Sequence, residues 1–468
     1  MDAIETLIEQ GIRFIWGGDV WPGLLVPLLL LTGLFLTILV KGLQFRQLGP
    51  SLWLALIKRK EETEEGDISH YAALMTALAA TIGTGNIAGV ATAIASGGPG
   101  ALFWMWITGL VGMATKYAEA LLGVKYRRQD AKGEMSGGPM FYLTEGIGGG
   151  FGAFLGIFFA IAAAIAAFGI GNMVQSNSVA DAVEGAFNVP TWVTGVVLAL
   201  GAGAVIIGGI KSIGRFTSAF VPFMAVAYML AATVVLVMNA AELPGAIGLV
   251  FSDAFTGNAV AGGAIGTVIR FGVARGIFSN ESGLGTGGIA AAAAQTTQPV
   301  RQALVSMTQT FIDTLVVCSF TGLAIVSTGA WETGETGAAL TQVAFADGLG
   351  AAGDIVIAIS IAFFAFSTLL GWSYFGERCM DRLFGRVMVA PYRVVFCIAV
   401  FVGAIGGLEL VWDFADMMNG LMALPNLVGL LLLSGVIARE TREYFSSDAA
   451  FELGGPGSTR LRNRSEGR

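Results

Sequence analysis

The chain has 468 residues, 55% of them hydrophobic and only 13% charged, with a mean hydropathy of +0.73 and a formal net charge of −7. That balance excludes a soluble globular domain, because too few polar side chains remain to face water, and it makes lipid the bulk solvent. One histidine (His70), no phosphate-binding Gly-Lys loop and no basic stripe argue against His-based or zinc catalysis, an ATP-driven pump and a nucleic-acid partner.

Residues 1–18 begin acidic, without the basic start of a cleavable signal peptide. Ile4, Leu7, Ile8, Ile12 and Ile15 recur at helical spacing, which predicts an amphipathic segment over 1–20 lying in the membrane surface. Apolar runs of about 20 residues then recur along the chain, the length a helix needs to cross about 30 Å of hydrocarbon. They lack the alternation of a β-barrel strand. Eleven spans are predicted, at 22–41, 71–96, 100–123, 151–178, 192–208, 217–238, 259–294, 302–327, 352–377, 392–408 and 411–437. The transmembrane domain is placed at 21–440, with a soluble amphipathic segment near 338–348 on the outer surface. Residues 441–468 read as a cytoplasmic tail, disordered over its Ser/Gly/Arg-rich part from 446. Cys318, Cys379 and Cys397 have no metal-like spacing and read as packing residues.

Orientation follows from lysine and arginine, which favour the inside. With the first span running inward, 22 of the 26 basic residues fall on inside stretches, Arg13 lies outside, and Lys116, Arg270 and Arg275 fall within spans. The N-terminus is therefore outside and the C-terminus cytoplasmic, in an inner or plasma membrane.

Setting the first span aside leaves five spans over 71–238 and five over 259–437. Each half opens on an interrupted helix, at Gly83-Thr84-Gly85-Asn86 and at Phe278-Ser279-Asn280-Glu281-Ser282-Gly283. The basic-residue pattern runs the first of these outward and the second inward, an inverted repeat with breaks at matching positions. Unwound backbone survives in a bilayer only where it lines a cavity, so the breaks point to a transport site near the midplane. Half-helix N–H groups suit a carboxylate and freed carbonyls suit a cation.

At these residues the chain resembles the alanine or glycine:cation symporter family. The resemblance covers about residues 20–440 and is densest at 77–108, at 136–143 (SGGPMFYL), at 169–179 (GIGNMVQSNSV) and at 271–298, which holds FSNESGLGTGG. It implies an all-α integral membrane fold of the LeuT-like five-plus-five type, with one extra helix in front. It also implies co-transport of sodium with a small amino acid, alanine or glycine, and no organic cofactor. A proton in place of sodium, and a channel, stay as alternatives. Membrane lipids are the other expected partners, and no oligomer is implied.

The candidate substrate residues are Thr81, Gly83, Thr84, Gly85 and Asn86 at the first break and Phe278, Ser279 and Asn280 at the second, with Gln175 and Trp372 facing them. Gly83–Gly85 backbone would hold the carboxylate, carbonyls of the second break the ammonium, and Phe278 and Trp372 would wall the pocket. Asn86, Asp313, Ser367 and Thr368 are the candidate sodium residues, the two hydroxyls by resemblance to a helix that serves a sodium site near the first break. Asp313 lies about 16 Å along its span by helix rise, where a carboxylate must be neutralised. A bound cation, Arg270 and Arg275 are all open as its partner. Glu281 either orients the second break or lies on a mobile loop.

Overall fold

The computed structural model describes residues 10–16, 23–59, 65–255, 265–406 and 409–447. Most of the expected amphipathic start, including Ile4, Leu7 and Ile8, and the tail from 448 lie outside these.

Helix α1 (Leu25–Leu39) is followed by a short bent helix α2 over 48–58. The first break separates α3 (His70–Thr81) from α4 (Ala88–Gly97) through a single turn at Thr84–Asn86. Next come α5 (Ala101–Lys125), α6 (Gly149–Phe187), α7 (Thr191–Ile206), α8 (Gly209–Met238) and the short α9 (Leu243–Asp253). The second break separates α10 (Ile265–Asn280) from α11 (Thr286–Ala292). The chain continues with α12 (Pro299–Ser327), α13 (Gly337–Leu349), α14 (Ala352–Phe384), α15 (Val389–Ile405), α16 (Glu409–Leu432) and α17 (Ser434–Ser446). A two-stranded hairpin, Arg128–Gln129 against Met135–Ser136, follows α5.

Six of the described helices are long and apolar enough to cross a membrane: α6, α8, α12, α14, α16 from Phe414, and α15 with its leading turn from Arg386. The other expected spans are shorter, interrupted or, like α5, carry buried charge. Several further helices were not expected, among them those at 48–58, 139–147, 243–253 and 434–446. The last corrects the expected tail at its start: Tyr117 bonds Thr441 at 2.8 Å and Lys125 pairs with Glu440 at 2.7 Å, which ties residues 434–446 to the bundle. Part of the N-terminal segment, residues 10–16, is described. Ile15 and Trp16 are buried, with Ile15 packed at Gly420 and Trp16 Nε1 donating to the Asp416 carbonyl at 2.7 Å, so this part docks on α16.

Elements of the two halves pack in corresponding pairs. Helix α5 packs on α12, α6 on α14 and α7 on α15. The broken helices cross, with α3 against α11 and α4 against α10, which requires them to run antiparallel. Small residues permit this, since glycine lets helix backbones approach. Gly123 meets the backbone of Gly288, and a methyl group on Gly112 would lie 2.9 Å from Ser282. Helix α1 packs on α5 and α16, outside the crossing.

Candidate substrate and cation site

In a continuous helix the Ala79 carbonyl would accept from Gly83 and the Ile82 carbonyl from Asn86. Neither bond forms. Gly83 N–H donates to its own break, to Asn86 Oδ1 at 2.9 Å, and Asn86 N–H donates to the Gly83 carbonyl at 3.2 Å. Two buried carbonyls are thereby freed, and α14 supplies what meets them. Ser367 Oγ lies 3.1 Å from Ala79 O, 3.3 Å from Ile82 O and 2.8 Å from Phe364 O. Thr368 Oγ1 lies 3.2 Å from Ala79 O and 3.1 Å from Phe364 O. Three carbonyl and two hydroxyl oxygens converge with no charged group among them, a donor set suited to a hard monovalent cation.

A second cluster forms where the breaks cross. Asp313 Oδ1 accepts from Asn86 Nδ2 at 2.8 Å, and Oδ2 accepts from Ser279 Oγ and Thr314 Oγ1, both at 2.8 Å. Cys318 Sγ completes it, 3.4 Å from Asn86 Nδ2 and 3.3 Å from Ser279 Oγ. Asp313 is fully buried, and among the described residues no basic side chain bonds it. Arg275 instead faces Asp416 at 3.8 Å, and the Arg270 guanidinium stacks on Phe271 at 4.8 Å. A π-helical turn over Phe311–Val317 widens α12 and carries Asp313, a distortion frequent at functional sites.

Between the clusters lies the unwound 83–86 stretch. Thr84 N–H donates to Gln175 Oε1 at 3.3 Å, and Thr84 Oγ1 is buried without a partner. Gln175 Nε2 donates to the Ile170 carbonyl at 2.9 Å, so this side chain ties the first break to a second π-helical turn, Gly169–Met173 in α6. A methyl group on Gly83 would lie 2.5 Å from Thr368 Oγ1, and one on Gly85 would lie 3.2 Å from the Phe278 ring. Both positions need the missing side chain. Phe278, capped by Arg275 at 5.5 Å, also lines a cavity of about 120 Å³ with Arg270, Asp416, Asn419, Ile12 and Trp16.

Not every candidate faces this space. Thr81 Oγ1 bonds back to Ala77 O at 3.2 Å within its own helix. Asn280 braces α12, donating to Thr314 Oγ1 at 3.0 Å and accepting from Ser282 N–H at 2.9 Å. Trp372 packs on Gly171, and its Nε1 donates to Glu281 Oε1 at 2.7 Å. Glu281 is therefore buried and bonded, the orienting alternative, and not part of an exposed loop. The sequence reading missed the carbonyls of Ala79, Ile82 and Phe364, together with Thr314, Cys318, Glu119 and Asn426. Carbonyls leave no trace in residue type; Glu119 was visible as an acid within a span.

The family model described as the sodium:alanine symporter family matches residues 1–453. The sodium/alanine symporter AgcS of Methanococcus maripaludis is 56% identical over 449 residues, covering 95% of this chain and 98% of that one. An uncharacterized transporter of Haemophilus influenzae is 48% identical, covering 95% and 96%. The probable sodium/glutamine symporter GlnT of Bacillus subtilis is 37% identical, covering 91% and 88%. A chain with buried, broken and crossing helices and this similarity is a multi-pass membrane transporter and not an enzyme. It belongs to the sodium:alanine symporter family.

Proposed function

We propose that this chain carries alanine, and glycine as the smaller homologue, into the cell together with sodium by alternating access. The observation that carries the reading is the pair of freed carbonyls, Ala79 and Ile82, facing Ser367 and Thr368 across 3.1–3.3 Å. Sodium would sit among these oxygens, bound by the carbonyls and by the hydroxyl lone pairs, with each O–H turned away from the ion. Asp313, with its donors Asn86, Ser279 and Thr314, is the second cation-binding group, since a buried carboxylate bonded by no basic side chain draws a cation. The substrate carboxylate is held at Thr84 and Gly85, where Gln175, the Thr84 hydroxyl and Phe278 converge. The close approach of Gly85 to the Phe278 ring, where even an added methyl group would lie 3.2 Å away, supports a small side chain on the substrate over glutamine, the substrate in one relative's name.

The matched packing of α5 on α12, α6 on α14 and α7 on α15 supports a LeuT-like five-plus-five inverted repeat of eleven spans, with repeats at 71–238 and 259–437. The basic-residue alternation supports an outside N-terminus and a cytoplasmic C-terminus. A proton-coupled carrier is the second reading, favoured by Asp313, which can take a proton as readily as sodium.

Uptake of labelled alanine into proteoliposomes tests this. An inward sodium gradient drives accumulation, a proton gradient of equal size does not, and counterflow against internal alanine occurs. Leucine and glutamine compete about tenfold to a hundredfold more weakly, as overfilling costs about 1–3 kcal/mol. Accumulation driven by protons alone would transfer the coupling to the second reading.

A further inference from the structure

Outside the two cation clusters, a pair of buried charges on α5 bonds the second break. Lys116 and Glu119 are one turn apart, both side chains fully buried, with Nζ 3.8 Å from Oε2. Their closest bonds are not to each other but to the second break. Lys116 Nζ donates to the Glu281 carbonyl at 3.1 Å. Glu119 Oε1 accepts from Gly283 N–H at 2.9 Å, from Gly285 N–H at 3.0 Å and from Asn426 Nδ2 at 2.8 Å. Asn426 Nδ2 also reaches the Gly283 carbonyl at 2.8 Å, and its Oδ1 accepts from the Tyr142 hydroxyl.

The break needs such partners. Glu281, Gly283 and Gly285 have φ of +56°, +100° and +87°, a path that helical hydrogen bonds cannot follow. Its orphaned N–H and C=O groups have no water to turn to. A carboxylate and an ammonium serve them through charge-assisted bonds while their charges cancel. We propose that Glu119 and Lys116 are positioning residues for transport, holding the 281–285 backbone in the shape that receives substrate; this rests on the amino-acid carrier reading above. The held segment is short and connected at both ends to the site. Ser279, two residues before it, bonds Asp313, and the Glu281 carboxylate receives Trp372 Nε1 at 2.7 Å and Thr286 Oγ1 at 2.6 Å. A shift at 281–285 therefore moves Phe278, Ser279 and Trp372 together, while the oxygens around Ser367 and Thr368 belong to the other break.

The test measures alanine and sodium binding separately on purified full-length protein. Glu119→Ala raises the alanine half-saturation at saturating sodium about tenfold or more. Its sodium half-saturation without alanine rises by a smaller factor, because the shift reaches the Asp313 cluster only through Ser279 and leaves the oxygens around Ser367 and Thr368 untouched. Glu119→Gln recovers most of the loss, because its Oε1 accepts from the same glycine N–H groups and Lys116 still donates to Glu281. Unchanged alanine affinity in Glu119→Ala overturns the proposal. So does a parallel loss of both affinities, or a Glu119→Gln variant as impaired as Glu119→Ala. Should Glu119→Ala not fold, the charge-neutral double variant Lys116→Met with Glu119→Gln decides. It lacks only the donor to Glu281, and the proposal requires weakened alanine binding with sodium binding less affected; wild-type alanine affinity there overturns it. Wild-type protein that binds no alanine would instead remove the carrier reading itself.

Discussion

Asp313 accepts three hydrogen bonds at 2.8 Å and no basic side chain among the described residues bonds it, Lys116 acting on it only through its charge, which argues against Arg270 or Arg275 as its partner. Had Arg270 or Arg275 neutralised it, removing its charge would strand a buried guanidinium at a cost of about 3–5 kcal/mol. Arg275 faces Asp416 instead. The substitution Asp313→Asn is accommodated locally: the new amide oxygen accepts from Asn86 Nδ2, and the Ser279 and Thr314 hydroxyls turn to accept from the new NH2. The expected outcome is an unchanged or raised melting temperature with an apparent sodium affinity lowered about tenfold, and alanine affinity recovering at saturating sodium by linkage. A sodium titration of alanine binding on the purified variant checks this, and an unchanged sodium dependence would remove Asp313 from the cation site. The depth of Asp313 was legible from its place in an apolar run. Its partners were not, because Asn86, Ser279 and Thr314 reach it only through the crossing of two breaks and a π-helical turn that no glycine or proline announces.

Both breaks could be located by eye, at Gly83-Thr84-Gly85-Asn86 and at Phe278-Ser279-Asn280-Glu281-Ser282-Gly283, although the second begins later than expected, since α10 runs through Asn280 and α11 starts at Thr286. What a break does to the helix before it is a matter of hydrogen-bond register, and residue types do not record that. Ala79 and Ile82 look like packing residues, yet their carbonyls are the groups that α3 surrenders. The same blindness applied to helix ends. Helix α14 runs to Phe384, past the expected 377, because Arg378, Asp381 and Arg382 continue it into polar surroundings. If α3 and α14 share a cation through these oxygens, Thr368 must contribute a hydroxyl and nothing more. Thr368→Val, of nearly the same shape, should raise the apparent sodium half-saturation about tenfold, the loss of one ligand at ~1.4 kcal/mol, while Thr368→Ser stays near wild type. Sodium-dependent alanine uptake in proteoliposomes reads this directly, and equal activity of the valine variant would place the cation elsewhere.

At the scale of the whole molecule the described residues at the two ends of the bundle are bonded differently. The end that the basic residues assign to the cytoplasm is stapled by a charge network. Arg378, almost wholly buried, reaches Glu377 at 2.6 Å and Asp130 and Glu134 at 3.2 Å; Arg386 reaches Asp130 at 2.6 Å and Glu134 at 2.7 Å; Arg393 reaches Glu377 at 2.6 Å. Arg127 adds the Ala292, Ala294 and Thr296 carbonyls just past α11. The opposite end has the 3.8 Å pair of Arg275 with Asp416 and the cavity that reaches Phe278. On the proposed orientation and alternating-access reading, this network would have to open for substrate release on that side. Asp130 and Glu134, in the hairpin outside the membrane, make it sensitive to acid. Burial pushes both carboxyls up. The N–H groups of Lys132 and Glu134 on Asp130, the Arg386 hydrogen bond on Glu134 and the charges of Arg378 and Arg386 outweigh burial and hold both below their ordinary values. A depressed carboxyl contributes stability that is complete above its unfolded-state pKa of about 4 and is lost as pH falls through its lower folded value. The melting temperature of the purified protein is therefore level from neutral pH to about 5 on account of these groups and declines below about 4. In an Asp130→Asn, Glu134→Gln double variant the plateau is lower and the acid decline shallower, because the neutral side chains have no charge to lose. An acid limb as steep in the variant as in the wild type would show that these two carboxylates do not staple that end.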